Sequence, residues 1–488
     1  MAFGIVQTRS PVSPMGLTLG GVRIRSLPTL VLAILLSACA GATTGTRSSS
    51  PTASGLAVTS PAADNPAQPD TQWFQYHGNG ARTGHVAGLP AAGRLAITWS
   101  ARLGGAVYGQ PLVIGTTVVA PTETDEVYGL DEATGAVRWH VRVGSPEPLS
   151  QEPCGILNPL GITSTGVYDQ QTGLAYFLAQ SGPSKHMLVG IDPATGTVRF
   201  RRSVPTPDHH PADDQQRAAL ALTNGRVYVA FGGHNGDCGA YIGSVVSVPA
   251  RGNGAEQSYL VPTARRGGIW AAGGPVVGPD GTIYVAVGNG AGSSGPFDHS
   301  DSVTALTPRL ALAGIFAPTN WRTLNAGDID LGSESPALLS DGRILQVGKA
   351  GVGYLLNAGS LGGVGGQITQ GRVCPASSGG AFGGSAVVGS VVYVPCTSGL
   401  VAVNTAGDHI SVLWHGPAGT AGSPVVGGDA VWVVNPDSGG LYELDPQTGA
   451  VHQRISLRGA LPHFASPSLS GDLVLVGTMT GVTAISGA

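Results

Sequence analysis

Carboxylate, amide and imidazole side chains cluster in four short polar stretches of this 488-residue chain. The stretches contain His209, His210, Asp213 and Asp214, then His234 and Asp237, then Asn289, Asp298, His299 and Asp301, and lastly Asp328, Asp330 and Glu334. Oxygen ligands at this density are the kind that bind Ca²⁺. Asp and Asn also bond turn amides, so the same residues suit ordinary solvated loops. Their separations are not set by the sequence, and no pair is assigned as general acid and base.

Thiol chemistry is the second possibility. Besides Cys39, the chain has four cysteines, Cys154, Cys238, Cys374 and Cys396. An even number in an oxidising compartment predicts two disulfides, with three possible pairings. A zinc site is the rival interpretation, but no CxxC or HxxxH spacing supports it. Buried free thiols are the other alternative.

The N-terminus predicts export. Arg9, Arg23 and Arg25 precede the apolar run Leu27–Leu36, which is too short to cross a bilayer as a helix. The run ends in Leu36-Ser37-Ala38-Cys39, which resembles a bacterial lipoprotein box with Cys39 as the acylated thiol. We therefore expect a cell-envelope protein, extracytoplasmic and attached to a membrane through lipid on Cys39.

Three segments follow from this interpretation. Residues 1–38 are a lipoprotein signal peptide, residues 39–72 a lipidated flexible linker, and residues 73–488 the folded body. The linker is rich in Ser, Thr, Ala, Pro and Gly and has too few large apolar side chains to offset chain entropy.

Composition narrows the fold class. Charged residues make up 11% of the chain, against roughly 25% in an average domain. Seventy-seven glycines separate short apolar runs, which predicts many short strands joined by turns. A net charge of −4 gives no electrostatic reason to expect a nucleic acid partner.

A repeat specifies the architecture. Three segments align, VYGLDEATGAVRW (127–139), LVGIDPATGTVRF (188–200) and LYELDPQTGAVHQ (441–453). Each reads as a hairpin in which Asp and Thr bond turn amides and Gly takes a positive φ. A second strand pair precedes each hairpin, which makes a unit of four antiparallel strands. Units of this kind, mostly about 40 to 50 residues apart, predict an all-β propeller.

The string Leu130-Asp131-x-x-Thr134-Gly135-x-x-x-Trp139 resembles the repeat of quinoprotein (PQQ-type) propellers. The resemblance covers almost everything after Trp73, although only the first unit keeps the tryptophan. We predict eight four-stranded blades, beginning near Tyr108, Asn158, Arg217, Gly268, Leu331, Gly379, Gly419 and Leu461. The last has only three strands, and residues 94–103 supply the fourth. Seven blades is the alternative.

Function is expected on the face where the loops between blades emerge. We place all four body cysteines in loops of this face. This clustering is the reason for preferring the pairs Cys154–Cys238 and Cys374–Cys396 among the three possibilities.

Two stretches resemble the cofactor site of quinoprotein alcohol dehydrogenases. Residues 267–290 would place Trp270 under PQQ and Asn289 as a calcium ligand. Residues 327–356 would supply Asp328 or Asp330 as the base and Lys349, one of two lysines, beside the quinone oxygens.

The resemblance is incomplete. Cys238 stands where the family has its ligand glutamate, with only Asp237 beside it, and no two cysteines are adjacent to form the covering disulfide. A CxxCH haem motif is missing from the sequence as well.

We therefore expect a lipid-anchored, monomeric binding or scaffolding propeller with a degenerate quinoprotein-like site, its ligand a protein or small molecule on the loop face. Eight-bladed lipoproteins that assist outer-membrane protein assembly share this layout. The alternative is a PQQ- and calcium-dependent dehydrogenase of an alcohol or sugar.

Overall fold

The computed structural model describes residues 72–89, 91–182 and 184–487. All of them belong to the second of two compact units, residues 60–488. The predicted signal peptide, the acylated Cys39 and almost all of the predicted linker lie outside the described residues. None of the helices in the described part of the chain is long and apolar enough to span a membrane.

Eight antiparallel sheets follow one another along the chain, which confirms the eight-bladed propeller and excludes seven blades. Blade 1 consists of Leu112–Ile114, Thr117–Pro121, Glu126–Asp131 and Val137–Arg142, and blade 2 of Val167–Asp169, Leu174–Gln180, His186–Ile191 and Val198–Ser203. Blade 3 consists of Ala221–Thr223, Arg226–Gly233, Ser244–Pro249 and Gln257–Leu260, and blade 4 of Val276–Val277, Ile283–Val287, Ser302–Leu306 and Leu312–Ala317. Blade 5 consists of Ala337–Leu338, Arg343–Gln346, Val352–Asn357 and Thr369–Arg372, and blade 6 of Ala386–Val388, Val391–Cys396, Gly399–Asn404 and Ser411–Ala418. Blade 7 consists of Val425–Gly427, Ala430–Asn435, Gly440–Leu444 and Val451–Ser456, and blade 8 of Ser468–Ser470, Leu473–Thr478, Gly481–Gly487 and Leu95–Arg102.

Short elements complete the described chain. Asp214–Gln215 pairs with the second strand of blade 3, and Gly363–Val364 pairs in parallel with the fourth strand of blade 4. The helices are one α-helix, Trp321–Gly327, and the 3₁₀ turns Leu149–Gln151 and Leu331–Ser333.

Burial changes from the first strand of a blade to the fourth. The first strands of blades 1, 3 and 8 are buried at every residue, whereas fourth strands such as Val198–Ser203 alternate between exposed and half-buried residues. First strands thus face the centre of the ring and fourth strands form its rim, and the core lies between neighbouring blades.

The ring closes as the sequence predicted. Leu95–Arg102 pairs antiparallel with Gly481–Gly487, from Leu95 opposite Gly487 to Arg102 opposite Gly481. This strand completes blade 8 as its fourth, outermost strand and covers the edge of Gly481–Gly487.

The repeat turns have the expected hydrogen bonds. The amide and hydroxyl of Thr134 both donate to Asp131 Oδ1, at 2.9 and 2.8 Å, and Gly135 has a φ of 71°. Thr448 makes the same two bonds to Asp445.

Tryptophans connect these turns to the preceding blade. Trp99 Nε1 donates to the Glu132 carbonyl (2.8 Å) and its indole lies against Gly135, while Trp139 Nε1 donates to the Pro193 carbonyl (3.0 Å). Trp414 makes the equivalent bond to the carbonyl of Pro446 (3.1 Å) and lies against Gly449. Each of the three Thr-Gly turns found in the sequence is therefore contacted by a tryptophan from the fourth strand of the preceding blade. The alignment of the repeats did not reveal this contact, because the tryptophan and the turn belong to different repeats.

Residues 72–89, the channel segment, lie at the centre of the ring. Trp73 pairs with Val113, the Gly80 carbonyl accepts from the Val277 amide (2.8 Å), and the Gly84 carbonyl accepts from the Val426 amide (2.7 Å). These partners belong to the first strands of blades 1, 4 and 7. The segment is therefore a plug in the central channel rather than a continuation of the linker.

The contact between Trp99 and Gly135 can be tested by adding one methyl group. A Cβ on Gly135 would meet the indole at 2.5 Å, whereas a Cβ on Gly173, with nearly the same φ of 70°, meets nothing within 4 Å. We expect Gly173→Ala to lower the free energy of unfolding by about 1–2 kcal/mol from backbone strain alone. Gly135→Ala should cost a further ~1–3 kcal/mol from overpacking. Denaturant unfolding of both variants measures the difference, and equal losses would show that the indole contact is unimportant.

Candidate functional site

Six residues singled out in the sequence line one cavity of about 400 Å³ on the loop face. They are His234, Asp237, Trp270, Asp328, Asp330 and Lys349. They come from the loops inside blades 3 and 5 and from the segments that precede blades 4 and 5. Asn289 lies behind this surface, where its side chain is buried.

Lys349 is paired with both candidate bases. Its ammonium forms an ion pair with the Asp330 carboxylate and another with Asp328 Oδ1, at 3.2 Å. Burial raises the pKa of Asp330, against the opposing attraction of Lys349. Burial also lowers the pKa of Lys349, but the two carboxylates raise it by more, so the net shift is upward. The three groups thus form a closed ionic cluster.

Asp330 also positions the segment of Asn289. Its Oδ1 accepts from the backbone amide of Asn289 at 2.6 Å. The Asn289 side chain, in the orientation that satisfies its neighbours, donates to the same carboxylate at 2.6 Å and accepts from Arg266 Nη1 at 3.3 Å. The two residues expected to serve as calcium ligand and base therefore bond each other.

A guanidinium lies between the two predicted metal ligands. Arg266 Nη1 is 3.6 Å from Asp237 Oδ2 and 3.3 Å from the Asn289 amide oxygen. Asp237 Oδ1 accepts from the Tyr241 hydroxyl at 2.6 Å. Sequence reasoning missed Arg266, although the Arg265-Arg266 pair immediately precedes the stretch of Trp270.

These residues do not fit a calcium ion. The ligand oxygens of Asp237 and Asn289 face a fixed side-chain cation, and Asp330 faces another, so their charge is already compensated. Among the described residues, no group of three or more His, Cys, Asp or Glu side chains is placed to hold a metal.

The walls of the cavity include aromatic residues that the sequence did not single out. Phe382 and Phe464 are stacked on each other, with centroids 5.9 Å apart, and both flank Trp270 at 6.2 and 6.4 Å. They precede blades 6 and 8, which lie far from Trp270 in sequence. The ring brings the three together.

Both predicted disulfides are present, Cys154–Cys238 and Cys374–Cys396. One placement was wrong: Cys396 is the last residue of a strand, and its bridge to Cys374 is fully buried. Cys374 does lie in a loop, just after the strand Thr369–Arg372, so the bridge joins a loop to the end of a strand. A bonded pair of small apolar side chains packs well in a core, which accounts for its burial.

The Cys154–Cys238 bridge joins two loops at the cavity. Beside it, His234 Nδ1 and Glu152 Oε2 lie 3.3 Å apart, with side chains only 1% exposed. Burial raises the pKa of Glu152 to about 7 and lowers that of His234. The loop before blade 2 is thus fixed to the loop inside blade 3, whose His234 and Asp237 line the cavity.

The position of Arg266 leads to a metal-binding prediction. Arg266→Ala should leave Asp237 and Asn289 without their cation, so Tb³⁺ should bind about tenfold more tightly than to the parent protein. Tyr241 and Trp270 lie close enough to sensitise Tb³⁺ luminescence, which provides the measurement. The neighbouring exposed Arg265→Ala is the matched control and should bind Tb³⁺ like the parent. Tight Tb³⁺ binding by the parent protein would contradict this account of the site.

Comparisons with known proteins concern the fold and one segment of the sequence. Residues 81–290 match the family model described as outer membrane protein assembly factor BamB. A search of curated protein sequences finds no match.

Solved structures of similar fold fall into two groups. A quinohaemoprotein alcohol dehydrogenase from Pseudomonas putida HK5 superposes with a TM-score of 0.66 over 86% of this chain and 80% of that one. A europium-containing methanol dehydrogenase gives 0.67 over 86% and 98%, and BamB from Moraxella catarrhalis gives 0.53 over 80% and 97%. All three are 14% identical to this chain, so the likeness concerns the fold. The chain is thus an eight-bladed β-propeller of four-stranded blades with a PQQ-like repeat, similar in fold to quinoprotein dehydrogenases and to BamB.

Proposed function

We propose that this protein is a binding or scaffolding module of the cell envelope that uses the loop face of a rigid propeller and performs no quinone chemistry. The observation that carries the proposal is the guanidinium of Arg266 between Asp237 and Asn289. A site with built-in cations has no need of calcium, and its carboxylates are engaged in ion pairs rather than available as bases.

The scaffold supports a binding role. Closure of the ring, the plugged channel and the Cys154–Cys238 bridge hold loops from several blades at set distances. Rigid presentation lowers the entropic cost of binding a partner. Two disulfides, and the match of residues 81–290 to a family described as an outer membrane assembly factor, support an extracytoplasmic location.

A dehydrogenase is the second candidate, because Trp270, Lys349 and both candidate bases do line one cavity. That convergence is the arrangement expected from the resemblance to quinoprotein alcohol dehydrogenases. Against it stand the ionic cluster of Lys349 and the lack of adjacent cysteines in the sequence.

The two candidates predict different results with added PQQ and Ca²⁺. We expect the purified protein to show no dye reduction with a panel of alcohols and aldoses, and no PQQ binding at micromolar concentration. Spectrophotometry of the dye and equilibrium dialysis of PQQ provide the measurements. Reduction that depends on PQQ and disappears in Lys349→Ala would favour the dehydrogenase and refute the binding module.

Lipid anchoring through Cys39 is part of the proposal. Cys39→Ala removes the thiol that would carry the diacylglyceryl group, so the variant should move from the membrane pellet to the soluble extracytoplasmic fraction. Fractionation and immunoblotting of cells expressing each form measure the distribution. Cys238→Ala is a matched control, since it removes a cysteine of the folded body and should leave the protein in the pellet. Continued membrane retention of Cys39→Ala would contradict the anchor.

A further inference from the structure

One position repeats around the mouth of the channel. In every blade it lies four residues before the first strand, and we call the eight residues the mouth ring: Tyr108, Thr163, Arg217, Ala272, Ser333, Phe382, Ala421 and Phe464. Because the blades are equivalent, these positions surround the same axis. The mouth ring carries only one charge, on Arg217.

A second cavity, of about 120 Å³, opens at this ring beside the larger one. Its walls include the mouth-ring residues of five successive blades, from Phe464 of blade 8 to Ala272 of blade 4. Tyr76 of the channel segment also lines it, and Ile156 and Leu157 come from the disulfide-linked loop before blade 2. These walls do not include Trp270, Lys349 or either candidate base. Arg217 and Phe464 also line the larger cavity, so the two cavities are neighbours that meet at these side chains.

The charge of this cavity is uncompensated. Arg217 is the only formally charged side chain among its described walls, and no Asp or Glu lines it. The Arg217 guanidinium lies 5.6 Å from the ring centroid of Phe464 and makes one long hydrogen bond, of 3.4 Å, to Gln215 Oε1. Within the described part of the chain it forms no ion pair.

Glu123 is the acidic group that attracts Arg217. One of its carboxylate oxygens, Oε2, already accepts two hydrogen bonds, from the Gly161 amide (2.9 Å) and the Thr163 hydroxyl (3.1 Å). Burial raises its pKa to about 7, so near neutral pH much of it is uncharged. The guanidinium therefore remains available to an anion that enters the cavity.

We propose that this cavity binds a small aromatic monocarboxylate, whose carboxylate pairs with Arg217 and whose ring lies among Tyr76, Tyr108 and Phe464. This inference rests on the proposed binding function and names its ligand class. Guanidinium and carboxylate form charge-assisted, often bidentate hydrogen bonds, which strengthen where water is excluded. The cavity opens at the mouth ring, and its volume is somewhat below the roughly 150 Å³ of a cavity known to accept benzene, so it has room for no more than one ring.

Phenylacetate is a suitable probe, with phenylacetamide as the neutral isostere. Titration calorimetry on the purified protein, without PQQ or Ca²⁺, should show phenylacetate binding more tightly than phenylacetamide. Arg217→Gln should weaken phenylacetate binding about ten- to a hundredfold and leave phenylacetamide almost unchanged. Arg322→Gln is the matched control, because its guanidinium also lies over an aromatic ring, Trp321 at 4.4 Å, but outside the cavity.

A second variant keeps the test decisive if Arg217→Gln does not fold. Ala272→Leu fills the cavity without removing the charge, and it should abolish binding of both probes while thermal melting shows a folded protein. Equal affinity for the two probes, unchanged phenylacetate binding in either variant, or no phenylacetate binding by the parent would overturn the proposal. Dye reduction with PQQ belongs to a separate assay, so failure of the binding function and failure of this inference give different results.

Discussion

Pairing of Leu95–Arg102 with Gly481–Gly487 is the interaction on which the rest of the structure depends. It joins the front of the folded body to its last strands, so the eight sheets close into one ring whose remaining edges are short outer strands. Trp99, on the same strand, docks on the turn at Gly135 of blade 1 and connects the closed blade to its neighbour. Residues of the loop face come from different blades, so every distance among them follows from this closure.

The closed ring pairs opposite charges at the positions where the resemblance to quinoprotein alcohol dehydrogenases would place a metal and a cofactor. Lys349 neutralises Asp328 and Asp330, and Arg266 lies between Asp237 and Asn289. A side-chain cation in such a place compensates the acidic groups permanently, without a bound ion. Likeness of fold to quinoproteins therefore does not by itself imply their chemistry, because the charges at these positions balance one another within the chain.

The channel segment gives the mouth of the propeller its floor. Arg82 is buried within it and donates to the carbonyls of Tyr76, Leu220 and Pro275, so a cation fixes the plug to the loops before blades 3 and 4. Burial lowers the pKa of Arg82 to about 9. Above this floor lies the mouth ring, whose members precede the first strands of their blades and do not lie within them. Arg217 is its one charged member, and the proposed second binding site depends on that residue.

Local patterns in the sequence were enough for the architecture. The Asp-x-x-Thr-Gly turns, the alternation of the strands and the orphan segment at 94–103 predicted eight blades and their closure, because turn hydrogen bonds and strand periodicity depend on neighbouring residues. Both disulfide pairs were predicted from the placement of the cysteines in the blades, although Cys396 lies in a strand and not in a loop. The sequence also selected Trp270, Asp328, Asp330 and Lys349, which share a cavity. It did not reveal Arg266 as the cation beside Asn289, Trp99 as the partner of Gly135, or Arg217 beside Phe464. Those contacts join residues 23 to 247 positions apart, and only closure of the ring brings such groups within reach of one another.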